Sequence, residues 1–213
     1  DWYNITELIL TDNYSFTILH RICLHDIPNK LYPEYDFKIW KFKIPKMFWW
    51  KNNNKLIEYL MWLENTLGWS KPEDWYKISK EIFTNNCGKS VESNFNNISY
   101  IPTLLYPEYD FKGWMFNKTI ANFWNDTKNQ IEYLKWLEIK LVYKNEEDWY
   151  NLNSRIMLDN HGGVLYRKFN NVHKIPQILY PNFNFLEWKF KHVCNNWWIK
   201  DGNTLKYLNW LEE

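Results

Sequence analysis

Cysteine, glycine, net charge and long apolar runs are all in short supply in this sequence, and each shortage removes a class of protein. Three cysteines, Cys23, Cys87 and Cys194, fall at unrelated places and form no CxxC pair, which argues against a disulfide framework or zinc knuckle and leaves buried, reduced thiols as the expectation. Lysine plus arginine number 26 against 25 acidic residues, so no overall excess of either sign marks a general polyanion or polycation binder. No apolar run approaches a membrane span and no leader peptide is visible, so a soluble, intracellular chain is expected, not secreted and with no membrane partner; if viral in origin, it would sit in host cytoplasm, viral factory or virion. HExxH, GxSxG, P-loop and GxGxxG motifs are absent, which leaves hydrolase, kinase and dinucleotide readings without support.

What is abundant is aromatic. The 213 residues hold 15 Trp, 15 Tyr and 13 Phe, and each large ring can withdraw roughly 150–250 Å² from water, so a substantial core is expected. The rings are also ordered in sequence. Asp1-Trp2-Tyr3, Asp74-Trp75-Tyr76 and Asp148-Trp149-Tyr150 open three successive copies, with starts 73 and 74 residues apart. A one-residue gap in the first copy then aligns Pro28, Pro102 and Pro176, Tyr32-Pro33, Tyr106-Pro107 and Tyr180-Pro181, and Trp40, Trp114 and Trp188. Trp50, Trp124 and Trp198 follow, and the copies close on Trp62-Leu63-Glu64, Trp136-Leu137-Glu138 and Trp210-Leu211-Glu212. The expected organisation is three tandem repeats, 1–73, 74–147 and 148–213, forming a stacked array. Twelve tryptophans should form its structural aromatic core: Trp2, Trp75, Trp149, Trp40, Trp114, Trp188, Trp50, Trp124, Trp198, Trp62, Trp136 and Trp210. The absence of Met at position 1, and a start and stop in phase with the repeat, suggest a piece of a longer array.

The spacing predicts an all-α fold. Ile131, Leu134, Leu137 and Leu141 recur at helical intervals, giving a buried helix over about 126–141. A charged turn, Lys144 to Asp148, then opens the next helix, its acids suited to exposed N–H groups. A helix carrying Trp75, Ile78 and Ile82 should end near Asn85-Asn86 with Gly88 as breaker, followed by a second helix over 89–97 and a third around Ser99 to Leu105, closed by Tyr106-Pro107. Alternating strand patterns are missing.

Recurring carboxylates are the first candidates for acid–base chemistry, but nothing converges on them. Asp74 and Asp148 suit helix capping, and Glu64, Glu138 and Glu212 suit pairing with a neighbouring helix, so no enzyme is expected. His20, Cys23 and His25 outline an H-x-x-C-x-H cluster that is not repeated in the second copy, so neither a metal nor a cofactor is expected. The stronger signal is a helix-turn-helix outline in the third copy, from about Asp159 through Gly162-Gly163 to Lys174. Val164, Leu165 and Phe169 should face inward, leaving Arg167, Lys168, Asn171, His173 and Lys174 for a nucleic acid. Only this copy leans basic, with 8 Lys and Arg against 6 Asp and Glu. The alternative partner is a protein, the chain serving as a scaffold in a viral or organellar assembly through exposed aromatics. No small-molecule substrate is expected.

The series Asp-Trp-Tyr, Tyr-Pro-Glu-Tyr, Trp-x-Phe, Phe-Trp and Trp-Leu-Glu resembles a tandem helical repeat of mimivirus-like giant viruses and of some protists and algae. The likeness covers the whole chain. More remotely the unit is similar to helical repeats that accompany homing endonucleases, and that resemblance implies nucleic-acid binding by association only. Many members carry a glycine run before the second helix; here only Gly162-Gly163 approaches it, while Gly88 is single and the first copy has Tyr14-Ser15.

Overall fold

The computed structural model describes residues 2–13, 17, 21–43, 48–95, 97–119, 122–193, 197–200 and 202–212. Asp1, Tyr14-Ser15, His20 and Cys194, which carried parts of the sequence reading, lie outside them. All regular structure among the described residues is helical, in short α-helices joined by 3₁₀ turns, with no strand. None of these helices is long and apolar enough to cross a membrane. The chain divides into two compact units, Asp1–Lys112 with Phe116–Lys118, and Gly113–Met115 with Thr119–Glu213.

In the first unit α1 (Glu7–Asp12) and α2 (Ile27–Leu31) precede the long α3 (Asn53–Leu67). Asn52 starts α3 by accepting a hydrogen bond from the Lys55 amide (3.2 Å), and Gly68, at φ +67°, ends it. A 3₁₀ turn, Pro72–Lys77, leads to α4 (Lys80–Asn85) and α5 (Lys89–Asn94). The single helix expected through Trp75 and Ile82 is therefore two elements. Ser79 divides them: its extended backbone stops the 3₁₀ turn and its hydroxyl accepts from the Ile82 amide (3.3 Å) to start α4. The helix expected around Ser99 to Leu105 is a 3₁₀ stretch, Ile98–Leu104, with Pro102 inside it.

The core of this unit is built on α3. Leu56, Tyr59, Leu60 and Leu63 meet Trp75, Ile78, Phe83, Val91 and Ile101, with Trp40, Trp49 and Phe116 completing the cluster. The helical spacing read from sequence buries the stripe, and the segment that follows α3 in the chain covers it. A smaller cluster, Ile5, Leu24, Ile27 and Phe42, lies under α1 and α2.

The second unit repeats the arrangement on other residues. Its long helix α6 (Thr127–Leu141) is followed by a 3₁₀ turn (Glu146–Asn151), α7 (Ser154–Asp159), α8 (Gly163–Phe169), α9 (Pro176–Leu179) and α10 (Asn203–Glu212). Tyr133, Leu134 and Leu137 of α6 pack with Trp149, Leu152, Met157, Leu165 and Ile175. The charged turn after α6 forms a capping box: the Asn145 side chain accepts from the Glu147 amide (3.0 Å) while Asp148 accepts from Asn145 N (3.4 Å) and Lys144 N (2.6 Å). Several contacts have counterparts 74 residues on. Trp75 Nε1 donates to Glu64 Oε1 (2.6 Å) and Trp149 Nε1 to Glu138 Oε1 (3.1 Å); Lys112 N donates to Tyr76 Oη and Leu186 N to Tyr150 Oη, both at 3.0 Å.

Candidate nucleic-acid interface

The helix-turn-helix of the second unit is α7, a tight turn and α8. Asn153 caps α7 by accepting from the Ile156 amide (2.9 Å), and Asn160 closes it by donating to the Ile156 carbonyl (2.7 Å). The left-handed residue of the turn is His161, at φ 63°, one place before the glycine. Gly162 is required for a different reason: a Cβ there would lie 2.2 Å from the Tyr133 hydroxyl. That hydroxyl donates to the Asn160 carbonyl (3.0 Å) and fastens the turn to α6. Burial pushes the Tyr133 phenol well above the ordinary tyrosine range, so it stays a neutral donor. The first unit has the same lock: Tyr59 Oη donates to Asn86 O (3.1 Å), Cys87 takes φ 62°, and a Cβ on Gly88 would lie 2.0 Å from Tyr59 Oη. Gly88, expected as the helix breaker, instead makes room for a buried phenol.

The proposed contact residues separate into three groups. Arg167 and Lys174 are exposed, and neither makes an ion pair among the described residues. Lys168 is engaged internally, its ammonium donating to Trp124 O (2.8 Å) and Asn125 Oδ1 (3.0 Å), which ties α8 to the turn ahead of α6. Asn171 accepts from the His173 amide (2.9 Å) and so caps the 3₁₀ turn Val172–Lys174. His173 does not face solvent as expected: it is 4% exposed, packed on Phe190 at 4.5 Å, with Nε2 3.2 Å from the His192 carbonyl oxygen. Val164, expected inward, is 43% exposed, because α8 has only two turns and Leu165, with Phe169 beside it, supplies its inner face. His161 adds no charge near neutrality, since desolvation first and the Lys140 charge second lower its pKa.

Two of the expected core tryptophans lie on the surface. Trp198 is 44% and Trp210 37% exposed, whereas Trp75, Trp149, Trp40, Trp114 and Trp124 are buried and Trp2, Trp62, Trp136 and Trp188 are half-buried. Trp50 is half-buried too: its neighbour Trp49 takes the core place, as Trp197 does beside Trp198. Trp210 is uncovered because nothing described packs over the outer face of α10 as Trp75 and Trp149 do over α3 and α6.

The recurring glutamates are absorbed by aromatic donors and not by a helix-borne cation. Glu64 Oε1 accepts from Trp75 Nε1 and from Tyr106 Oη (2.7 Å), and Glu138 Oε1 accepts from Trp149 Nε1 and Tyr180 Oη. The bond to Glu64, then burial, pushes Tyr106 up to about 12; burial, then the bond to Glu138, does the same for Tyr180. Each carboxylate thus holds three elements together.

Sequence reasoning missed a cleft of about 570 Å³ in the first unit, where Lys41 and Lys43 meet Lys89 of α5. Lys89 lies 48 and 46 residues after Lys41 and Lys43, and no local motif links it to them. Cys87, expected to be buried, is exposed at the same cleft. No protein-family model, curated protein or solved structure matches the chain.

Proposed function

We propose that the chain is a non-enzymatic array of three helical units of about 74 residues that binds nucleic acid through its second helices and the turns ahead of them. The array reading is supported by the contacts that recur one period apart, and it goes with the resemblance to viral and protist helical repeats. The observation that carries the binding reading is the pair Arg167 and Lys174, exposed and free of ion pairs among the described residues, beside a turn held rigid by Tyr133. Cations held on a rigid element keep their charge for phosphates. An intracellular setting agrees with the free thiols of Cys23 and Cys87.

An electrophoretic shift with duplex DNA, single-stranded DNA and RNA tests this. Arg167→Ala with Lys174→Ala should weaken binding and flatten the dependence of log affinity on log salt by about 2 for duplex, from roughly 0.9 per lost phosphate contact. Unchanged affinity and slope in this variant overturn the reading.

A protein-scaffold reading has its own observation, the outer face of α10, where Leu205, Leu208, Leu211 and Trp210 are all exposed. It predicts a stoichiometric protein partner lost on Leu208→Glu with Leu211→Glu, the nucleic-acid shift being unaffected.

A further inference from the structure

We propose that the cleft between Lys41, Lys43 and α5 is a seat for a phosphate-bearing ligand, the phosphodiester backbone of a nucleic acid. This rests on the binding reading above and gives it a second, stronger contact in the other unit. Lys41, Lys43 and Lys89 bring three positive charges to one open cleft whose lining contains no carboxylate. None of the three makes an ion pair among the described residues, whereas Lys38, Lys55, Lys77, Lys80, Lys112 and Lys118 of the same unit each reach an aspartate or glutamate. Like charges gathered without a counter-charge repel, and a multivalent anion relieves that repulsion.

The cleft offers hydrogen-bond donors of the right kind. Ser90 lines it, and its Oγ, turned away from solvent, has no hydrogen-bond partner among the described residues. A shielded hydroxyl without an acceptor is costly, and rotation of the Ser90 side chain into the cleft would let an oxyanion oxygen satisfy it. Ser93, one turn further along α5, also lines the cleft, its hydroxyl donating to the Ser90 carbonyl (3.3 Å). The floor is Trp40 and Phe42, both buried, so the seat is fixed by the core beneath it. A volume of about 570 Å³ exceeds one phosphate and suits a nucleotide-sized segment.

The same chain supplies a comparison that separates this chemistry from packing. At the positions 74 residues on, Trp40 and Phe42 are matched by Trp114 and Phe116, both buried, but Lys41, Lys43, Lys89 and Ser90 are matched by Met115, Asn117, Gly163 and Val164. At that place the scaffold keeps its rings without the lysines, whereas one period further Trp188-Lys189-Phe190-Lys191 carries both of the first pair again. The rings at Trp114 and Phe116 are buried without such lysines, so Lys41 and Lys43 are not needed for that packing.

The test titrates the full chain with inorganic pyrophosphate by calorimetry and with a labelled single-stranded oligonucleotide by anisotropy, both at low salt. The wild type, K41Q/K43Q/K89Q and R167A/K174A are compared. The proposal expects pyrophosphate to bind the wild type and R167A/K174A alike, and the cleft variant at least tenfold more weakly. Alkylation of Cys87 should also slow in pyrophosphate, with Cys87→Ser as the control that identifies the reacting thiol. Glutamine removes the charge while keeping part of each lysine's aliphatic stem, and circular dichroism checks that the variant folds; should it not, Ser90→Ala replaces it, with a smaller loss expected. No binding to the wild type, or equal binding to a folded cleft variant, overturns the proposal. Oligonucleotide binding that falls in R167A/K174A but not in the cleft variant overturns the cleft and leaves the broader reading standing. Pyrophosphate held in the cleft with no oligonucleotide binding at all supports the phosphate seat, assigns it to free polyphosphates, and removes the nucleic-acid reading.

Discussion

Tyr133 and Gly162 show how much one side chain can determine in this chain. The phenol ends against the turn at a point where any Cβ would collide, so the turn accepts glycine alone while its left-handed residue is a histidine. Gly162→Ala should therefore lower stability by about 1–3 kcal/mol through overpacking, measured by denaturant unfolding, although Gly162 has an ordinary negative φ. Adding Tyr133→Phe should return part of the loss, because the hydroxyl is the nearest obstacle. Tyr106 makes a prediction of another kind. Its folded pKa of about 12 lies above the ordinary value of 10.0, so the neutral phenol contributes stability that is complete below pH 10 and is lost as pH rises towards 12. Tyr106→Phe should unfold with a shallower loss between pH 10 and 12 than the wild type. The charges of Arg167 and Lys174 were legible in sequence, but the burial of His173 was not, since it depends on Phe190 and His192, far along the chain.

At the level of the element, the two long helices end differently. α3 stops at Gly68 with φ +67° and open space around it; α6 stops at Val142, in the same left-handed conformation with φ 59°. A β-branched residue is strained there and glycine is not. Val142→Gly should raise stability by about 1 kcal/mol, seen as a higher unfolding midpoint, and Gly68→Val should lower it by a similar amount or more. The starts of these helices and their buried stripes were readable because period and caps are local properties: Asn52 and Asp126 stand directly before the apolar spacing. The division at Ser79 was missed although an N-cap residue marked it, because Trp75, Ile78 and Ile82 keep helical spacing across the break. The 3₁₀ stretches Ile98–Leu104 and Glu146–Asn151 were placed by the sequence but read as α-helix, since their tighter winding goes with tertiary bonds such as that from Trp149 to Glu138.

For the whole molecule, burial differs sharply between equivalent helices. Leu134 of α6 is fully buried beneath the segment that follows it, while Leu208, at the matching place on α10, is 48% exposed. Leu134→Ala should cost about 2–5 kcal/mol and Leu208→Ala less than about 0.5 kcal/mol, by equilibrium unfolding. The sequence period announced equal roles for these leucines, and the difference lies in what covers them. The all-α class was plain from composition and spacing, whereas the cleft at Lys41, Lys43 and Lys89 needed the fold to bring distant residues together.

The joint between each long helix and the segment after it has a consequence for how such a gene changes length. Glu64 grips Trp75 as Glu138 grips Trp149, and Tyr59 locks the turn at Gly88 as Tyr133 locks that at Gly162. An excision of residues 74–147 would set Glu64 before Trp149 and Tyr59 before Gly162, partners of the kinds both already have. Unequal recombination in steps of one period can therefore lengthen or shorten the coding sequence without inventing a new interface, whereas an out-of-period deletion that crosses such a joint parts the glutamate from its tryptophan.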